Sequence, residues 1–274
     1  MSLWFSILPS RTAPRCRLYC FPYAGAGHTV YQHWQQYLAP DIELALIKLP
    51  GRGARYNEAC ATDLGRLIHD LAAALPSISD LPFAFFGHSM GALLAFETSR
   101  LLSRQGLSTP IALFVSGCNP PCQARRLPLL SVLPESAFSA SIQAMNGMPR
   151  EITQDPELLA FFLPIIRADF KLCEHYVYQS SPVLDVPLIA IGGDQDPRVP
   201  VTQLAGWQLE TSLPLAQWVY SGDHFYLFQH EVALLERMNA CLAQRIAPPP
   251  SFASLSQPVS PFTLLGVSHG NPVS

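Results

Sequence analysis

The chain is expected to fold as an α/β domain: a mostly parallel sheet flanked by helices, with a helical insertion over the sheet. Three observations lead there. Short runs rich in Val, Ile, Leu and Phe, bounded by Gly, Pro or Asp, alternate with longer stretches of helical apolar spacing, as in a parallel sheet joined by crossover helices. At 274 residues, 49% hydrophobic and only 14% charged, the chain is large enough to bury a core without disulfides or metal. The alternation breaks once, between about 119 and 181, and so long an excursion in a compact domain is usually a lid or a binding element.

Taken in order, the candidate strands are Arg17 to Phe21, Ile42 to Leu49, Phe83 to Phe86, Ile111 to Ser116, Pro187 to Ile191 and Gln217 to Tyr220. Between them, Leu64 to Leu75 and Ala92 to Leu102 carry apolar residues at helical spacing, and Val232 to Ile246 closes the core as a last helix. The excursion looks helical and contains Pro128, Pro134, Pro149, Pro156 and Pro164 and the apolar group Leu158 to Ile166. A single domain is expected over 1–247. From Pro248 onward Pro and Ser dominate, and 248–274 is expected to be a disordered tail.

Composition excludes several classes. The net charge is −3 and the 17 Lys and Arg residues are scattered, so no nucleic-acid groove is expected. No run approaches the roughly 20 apolar residues that span a bilayer. The apolar stretch Leu3 to Leu8 is too short for a secretion signal and lacks a basic start. A cytoplasmic protein without membrane attachment is expected. The seven cysteines show no metal-type spacing, Cys118 and Cys122 having no second pair, and are taken as reduced thiols. No metal and no cofactor is expected.

The stretch most informative about chemistry is Phe85-Phe86-Gly87-His88-Ser89-Met90-Gly91-Ala92, an apolar strand running through Gly-X-Ser-X-Gly into a helix. This is a nucleophile elbow. A serine on so tight a turn sits in strained backbone, and Gly87 and Gly91 remove side chains that would collide. The helix start directs N–H groups and positive dipole at the place where an oxyanion would form.

Serine needs a base, and the base an acceptor that fixes its tautomer. For this elbow the chain order is Ser, acid, His. His224, in Ser221-Gly222-Asp223-His224-Phe225 after the last strand, is the candidate base. His88 reads as a support of the elbow, and His28, His33, His69, His175, His230 and His269 as surface, packing or tail residues. The strand Pro187 to Ile191 ends in Gly192-Gly193-Asp194-Gln195-Asp196-Pro197 and offers two carboxylates. Asp196 is preferred: Pro197 biases it to an extended conformation, and the spacing to His224 leaves room for one helix and one strand. Asp194 reads as a cap of its own turn, and Asp223 as a turn residue. For the oxyanion, the backbone N–H of Met90 is one candidate donor. The second is the N–H of Ala24, on the glycine-rich loop Phe21-Pro22-Tyr23-Ala24-Gly25-Ala26-Gly27. A phosphate-binding loop is the rival reading of that loop, but no Lys-Ser or Lys-Thr follows it.

Four separated motifs in order, Phe21-Pro22-Tyr23-Ala24-Gly25, Leu49-Pro50-Gly51-Arg52-Gly53-Ala54-Arg55, Gly87-His88-Ser89-Met90-Gly91 and Gly222-Asp223-His224-Phe225, carry a resemblance. Together they resemble the external, type II thioesterases of nonribosomal peptide and polyketide assembly lines, members of the α/β-hydrolase superfamily. The resemblance spans about 17 to 245, departing at Ala26, where the family commonly has a second consecutive Gly. It implies Ser89, Asp196 and His224 as triad, Ala24 and Met90 as oxyanion donors, and the excursion as a lid. Phe138, Met145, Phe161 and Phe162 would then be acyl contacts or core of the lid. It further implies hydrolysis of stalled or misprimed acyl groups from the phosphopantetheine arm of an acyl- or peptidyl-carrier protein, by a chain expected to act as a monomer. Arg52 and Arg55 are expected in structural salt bridges, with docking of an acidic carrier as the alternative, and Glu97 as a cap or buried partner. The rival functions are a carboxylesterase or lipase acting on free oxygen esters and a binding module that has lost its chemistry.

Overall fold

The structure is a computed structural model that describes residues 2–75, 81–123 and 128–246. The expected tail lies outside the described residues. Seven strands form one sheet: β1 (Phe5–Leu8), β2 (Cys16–Phe21), β3 (Ile42–Ile47), β4 (Phe83–His88), β5 (Ala112–Ser116), β6 (Leu188–Gly193) and β7 (Ala216–Tyr220). The helices are α1 (Leu64–Ala74), α2 (Met90–Arg104), α3 (Glu135–Gln143), α4 (Arg150–Thr153), α5 (Pro156–Glu174), α6 (Val201–Leu204), α7 (Tyr226–Gln229) and α8 (Glu231–Ala243).

The spatial order is β1-β3-β2-β4-β5-β6-β7; β1 runs antiparallel to β3 and the remaining neighbours are parallel. Every residue of β2, β4, β5 and β6 is buried, as a parallel sheet covered on both faces requires. Consecutive residues serve opposite faces. Phe85 stacks edge-on against Phe21 at 5.1 Å on one side, while Phe86 meets Trp34 at 4.7 Å and Tyr31 at 5.5 Å on the other. Each such ring contributes about 2 to 3 kcal/mol by burial.

All six expected strands are present, with ends shifted by one or two residues. Among the elements that went unanticipated are the edge strand β1 and a 3₁₀ segment, His28–Gln36, which buries Tyr31 and Trp34 three residues apart. The excursion between β5 and β6 holds α3, α4 and α5. Asp155 caps α5 by accepting from the N–H groups of Glu157 (2.9 Å) and Leu158 (3.2 Å), and Pro156 opens it. Phe138, Ile142, Leu163 and Ile166 form a small separate core among these helices.

Strand order places the site. The chain steps from β2 to β3 on one side and then to β4 on the other, so the loops leaving β2 and β4 diverge at their C-terminal ends. Ligands of open α/β sheets bind in that crevice. Phe21 pairs with Gly87, and Gly193 with Tyr220, so these strand ends open onto the same C-terminal edge of the sheet.

Candidate active site

β4 ends at His88 and α2 begins at Met90, leaving Ser89 alone to make the turn with φ 55° and ψ −117°. That region is costly for a residue with a side chain and persists only where the surroundings impose it. The Ser89 N–H donates to the Ser116 carbonyl at 2.8 Å, tying the turn to the end of β5. A Cβ on Gly87 would lie 2.1 Å from the Gly91 carbonyl oxygen, and one on Gly91 would lie 2.2 Å from that of Phe21. Both glycines therefore permit backbone-to-backbone contact, and the second brings the β2 loop against the elbow. Met90 is the first helical residue, so its N–H has no intrahelical acceptor.

The structure brings Ser89, His224 and Asp196 together, although they are 135 and 28 residues apart along the chain. His224 Nε2 lies 3.2 Å from Ser89 Oγ, and His224 Nδ1 lies 2.7 Å from Asp196 Oδ2. His224 and Asp196 are each only 5% exposed. The other Asp196 oxygen accepts from the N–H groups of Arg198 (2.8 Å) and Val199 (3.2 Å), so the carboxylate is held at both ends. Asp194, by contrast, accepts the Gly222 N–H at 2.9 Å, linking the acid loop to the histidine loop instead of capping its own turn. A Cβ on Gly193 would lie 2.5 Å from the carbonyl oxygens of Gly222 and Asp223, so these two loops also touch through backbone. Asp223 closes a local turn by accepting from Phe225 N–H at 2.9 Å.

His88 is fully buried beneath this group, its ring 4.9 Å from that of His224. Its Nδ1 is 2.9 Å from Ser116 Oγ, which is in turn 2.6 Å from Tyr226 Oη. Burial, reinforced by the His224 charge, holds the His88 pKa well below its ordinary value, which keeps this imidazole neutral. Gly117, with φ +55°, makes room for it: a Cβ there would be 2.3 Å from the ring.

Two cavities meet at Ser89, and Ala24, Phe170, Arg198 and His224 border both. The larger, about 850 Å³, runs between residues 117–123, the end of α5 and residues 197–203. The smaller, about 40 Å³, lies under the α3–α4 turn. Of the four lid residues singled out from sequence, Met145 borders the smaller cavity. The other three border neither cavity. Phe138 is fully buried in the insertion's own core, Phe162 packs against that core, and Phe161 is 61% exposed with its ring 5.2 Å from Phe162. The apolar character of Phe138 and Phe162 is used to hold the helices of the insertion together. Phe170 went unnoticed, although it follows Ile166 by one helical turn and so shares its face. Arg52 and Arg55 are both paired, with Asp169 and Glu58, and Glu97 bonds Arg100 and Tyr176 at 2.6 Å each.

Among the described residues no helix is long and apolar enough to cross a membrane, and no group of three or more His, Cys, Asp or Glu is arranged to hold a metal ion.

Known proteins similar to this chain identify its family. The gramicidin S biosynthesis protein GrsT of Aneurinibacillus migulanus is 34% identical over 245 residues, covering 89% of this chain and 96% of its own. Thioesterase PikA5 of Streptomyces venezuelae is 36% identical over 258 residues, covering 91% and 92%. The solved structure of the type II thioesterase BorB from the borrelidin biosynthetic cluster superposes with a TM-score of 0.80 at 31% identity, over 90% of this chain and 98% of that one. The family model for the thioesterase domain matches residues 16–242, from the first residue of β2 almost to the end of α8. A match of that extent, over a sheet and loops that carry all four motifs, makes this chain a member of the thioesterase domain family.

Proposed function

We propose that the protein is a type II thioesterase that hydrolyses acyl groups from the phosphopantetheine arm of carrier proteins, with Ser89 as nucleophile, His224 as base and Asp196 as its orienting acid. The observation that carries this reading is the line of contacts from Ser89 Oγ to His224 Nε2 at 3.2 Å and from His224 Nδ1 to Asp196 at 2.7 Å, at the mouth of a cavity of about 850 Å³. The biosynthetic relatives, named for gramicidin S and borrelidin pathways, support the choice of substrate class.

In this reading Ser89 Oγ attacks the thioester carbonyl while Nε2 takes its proton, and the imidazolium is stabilised by the carboxylate on the other nitrogen. The tetrahedral oxyanion accepts from the N–H groups of Ala24 and Met90. Its collapse expels the pantetheine sulfur, which takes the proton from Nε2 and leaves as the free thiol. Water then repeats the cycle on the acyl-enzyme: Nε2 takes one proton from it, returns it to Ser89 Oγ, and the acid departs. A thiolate is a better leaving group than an alkoxide, so the tetrahedral intermediate collapses readily by expelling sulfur.

Residues 1–247 would act as one domain in which α3 to α5 serve as a lid that admits the pantetheine arm. We place the protein in the cytoplasm as a monomer, a location consistent with Cys16, Cys20, Cys60, Cys118, Cys122 and Cys241 being thiols. The oxygen-ester hydrolase and the binding module are less favoured, since neither calls for all four motifs. The test compares acyl-pantetheine and acyl-carrier thioesters with p-nitrophenyl esters of the same acyl chain. A clear preference for the thioesters is expected; equal or better turnover of the oxygen esters with none on carrier thioesters would refute the assignment.

A further inference from the structure

We propose that Asp169, on the insertion helix α5, is a positioning residue for the oxyanion site. Its carboxylate, fixed and neutralised by Arg52, holds the turn that presents the Ala24 N–H. The inference rests on the reading of Ala24 as an oxyanion donor and of Ser89 as the nucleophile.

Three segments distant in sequence converge on this carboxylate. Asp169 Oδ2 accepts the Gly25 N–H at 2.7 Å and also a hydrogen bond from Arg52 Nη1, while Oδ1 accepts from Arg52 Nη2 at 2.6 Å. Asp169 is 2% exposed and Arg52 7%, so the pair is shielded from water and the two-pronged geometry is stiff. Gly25 has φ +81°, the left-handed conformation that the third residue of a type II turn requires, and the Ala26 N–H closes that turn onto the Tyr23 carbonyl at 3.0 Å. A Cβ on Gly25 would lie 2.5 Å from Ile166 Cγ1. Ile166 and Asp169 are three residues apart and so occupy one face of α5. The helix thus grips the loop twice, once by packing and once by a charge-assisted hydrogen bond.

The consequence for chemistry follows from where the grip falls. Ala24 is held upstream by β2 and downstream by the peptide whose N–H Asp169 accepts. Remove the carboxylate, and that peptide is free to rotate beside the donor. Remove Arg52 alone, and an uncompensated buried carboxylate is left against the peptide that follows the donor. Because Asp169 sits on the insertion, a displacement of α5 would also move the donor, which couples the insertion to the reaction centre.

The test uses the whole chain with Asp169→Ala and the isosteric Asp169→Asn. For each, kcat and KM are measured on an acyl-pantetheine thioester. Two further probes separate transition state from ground state. One is a trifluoromethyl ketone analogue of the acyl-pantetheine, which forms a tetrahedral adduct with an oxyanion; the other is an amide-linked analogue, which forms none. For Asp169→Ala, kcat and affinity for the ketone are expected to fall together by roughly 10 to 100-fold, short of the full loss of a donor. KM and affinity for the amide should stay within about twofold, since the ground state does not use the donor. Asp169→Asn keeps an oxygen acceptor for Gly25 and should recover much of the loss, with ketone affinity still down by about threefold or more. If the alanine variant does not fold, the asparagine variant decides by the same ratio. Unchanged kcat and ketone affinity in a folded variant, or an equal fall in both probes, would overturn the inference while leaving Ser89 chemistry intact. A wild type that neither hydrolyses the thioester nor binds the ketone would overturn the reading of Ser89 itself.

Discussion

Replacing Asp196 by Asn should abolish most activity for a reason the local geometry makes specific. One carboxylate oxygen accepts the backbone N–H groups of Arg198 and Val199 at 2.8 and 3.2 Å, and the other faces His224 Nδ1 at 2.7 Å. In the Asp196→Asn variant the side-chain carbonyl oxygen must keep the two N–H donors, since an amide NH₂ there would face hydrogen with hydrogen. The NH₂ is then turned onto Nδ1 and donates to it. That forces the tautomer with the proton on Nε2, the nitrogen that must take the proton from Ser89. Loss of the correct tautomer costs about 10⁴ in kcat in triads of this kind, or about 5 kcal/mol of barrier. Asp194→Asn should change kcat by less than about threefold, because the asparagine oxygen can still accept the Gly222 N–H. Steady-state kinetics on an acyl-pantetheine thioester, with circular dichroism to verify folding, compares the two. A larger loss at Asp194 than at Asp196 would refute the reasoning.

Gly91→Ala should strike stability and rate together. Its Cβ would stand 2.2 Å from the Phe21 carbonyl oxygen, a backbone atom at the root of the Ala24 loop, so relief requires that loop to move. Overpacking of this sort costs about 1 to 3 kcal/mol, and misplacing the loop by about 1 Å costs roughly 100-fold in kcat; urea denaturation and kcat unchanged from wild type would contradict the close approach. His88 should make the protein acid-sensitive. The unfolded histidine titrates near its ordinary value of about 6.5, whereas burial lowers the folded one well below that. As pH falls through about 6.5 the unfolded state gains a proton that the folded state refuses, and stability drops by up to about 1.4 kcal/mol per pH unit. His88→Gln removes this contribution, so its unfolding free energy should vary less than that of wild type between pH 7.5 and 5.5; parallel profiles would refute the assignment.

Much of the site was legible because strand-end loops carry it and glycine spacing marks them. Gly87 and Gly91 identify the elbow, and the Asp196 and His224 loops each follow a short strand-like run, Leu188–Gly193 and Ala216–Tyr220. Elements whose identity depends on distant partners were not legible. β1 is four residues long and is defined by pairing Phe5 with Ile47. The segment His28–Gln36 has no helical stripe, only Tyr31 and Trp34 at the three-residue spacing of a 3₁₀ turn, both satisfied by Phe86. In the insertion, residue type marks the aromatic side chains but not their direction: Phe138 and Phe162 turn into its own core, while Phe170 reaches the cavities. The contacts of Asp169 were invisible for the same reason, since its partners Arg52 and Gly25 lie 117 and 144 residues away.

In this reading the Ser89 hydroxyl is activated by His224 to form an acyl-enzyme. Treating the protein with a fluorophosphonate probe and locating the adduct by mass spectrometry tests this most directly. One adduct, on the peptide containing Ser89, is expected, and Ser89→Ala should abolish it and lower thioester turnover by roughly 10⁴ to 10⁶. An unmodified wild type, an adduct on a different serine, or a Ser89→Ala variant that keeps its turnover would contradict the account.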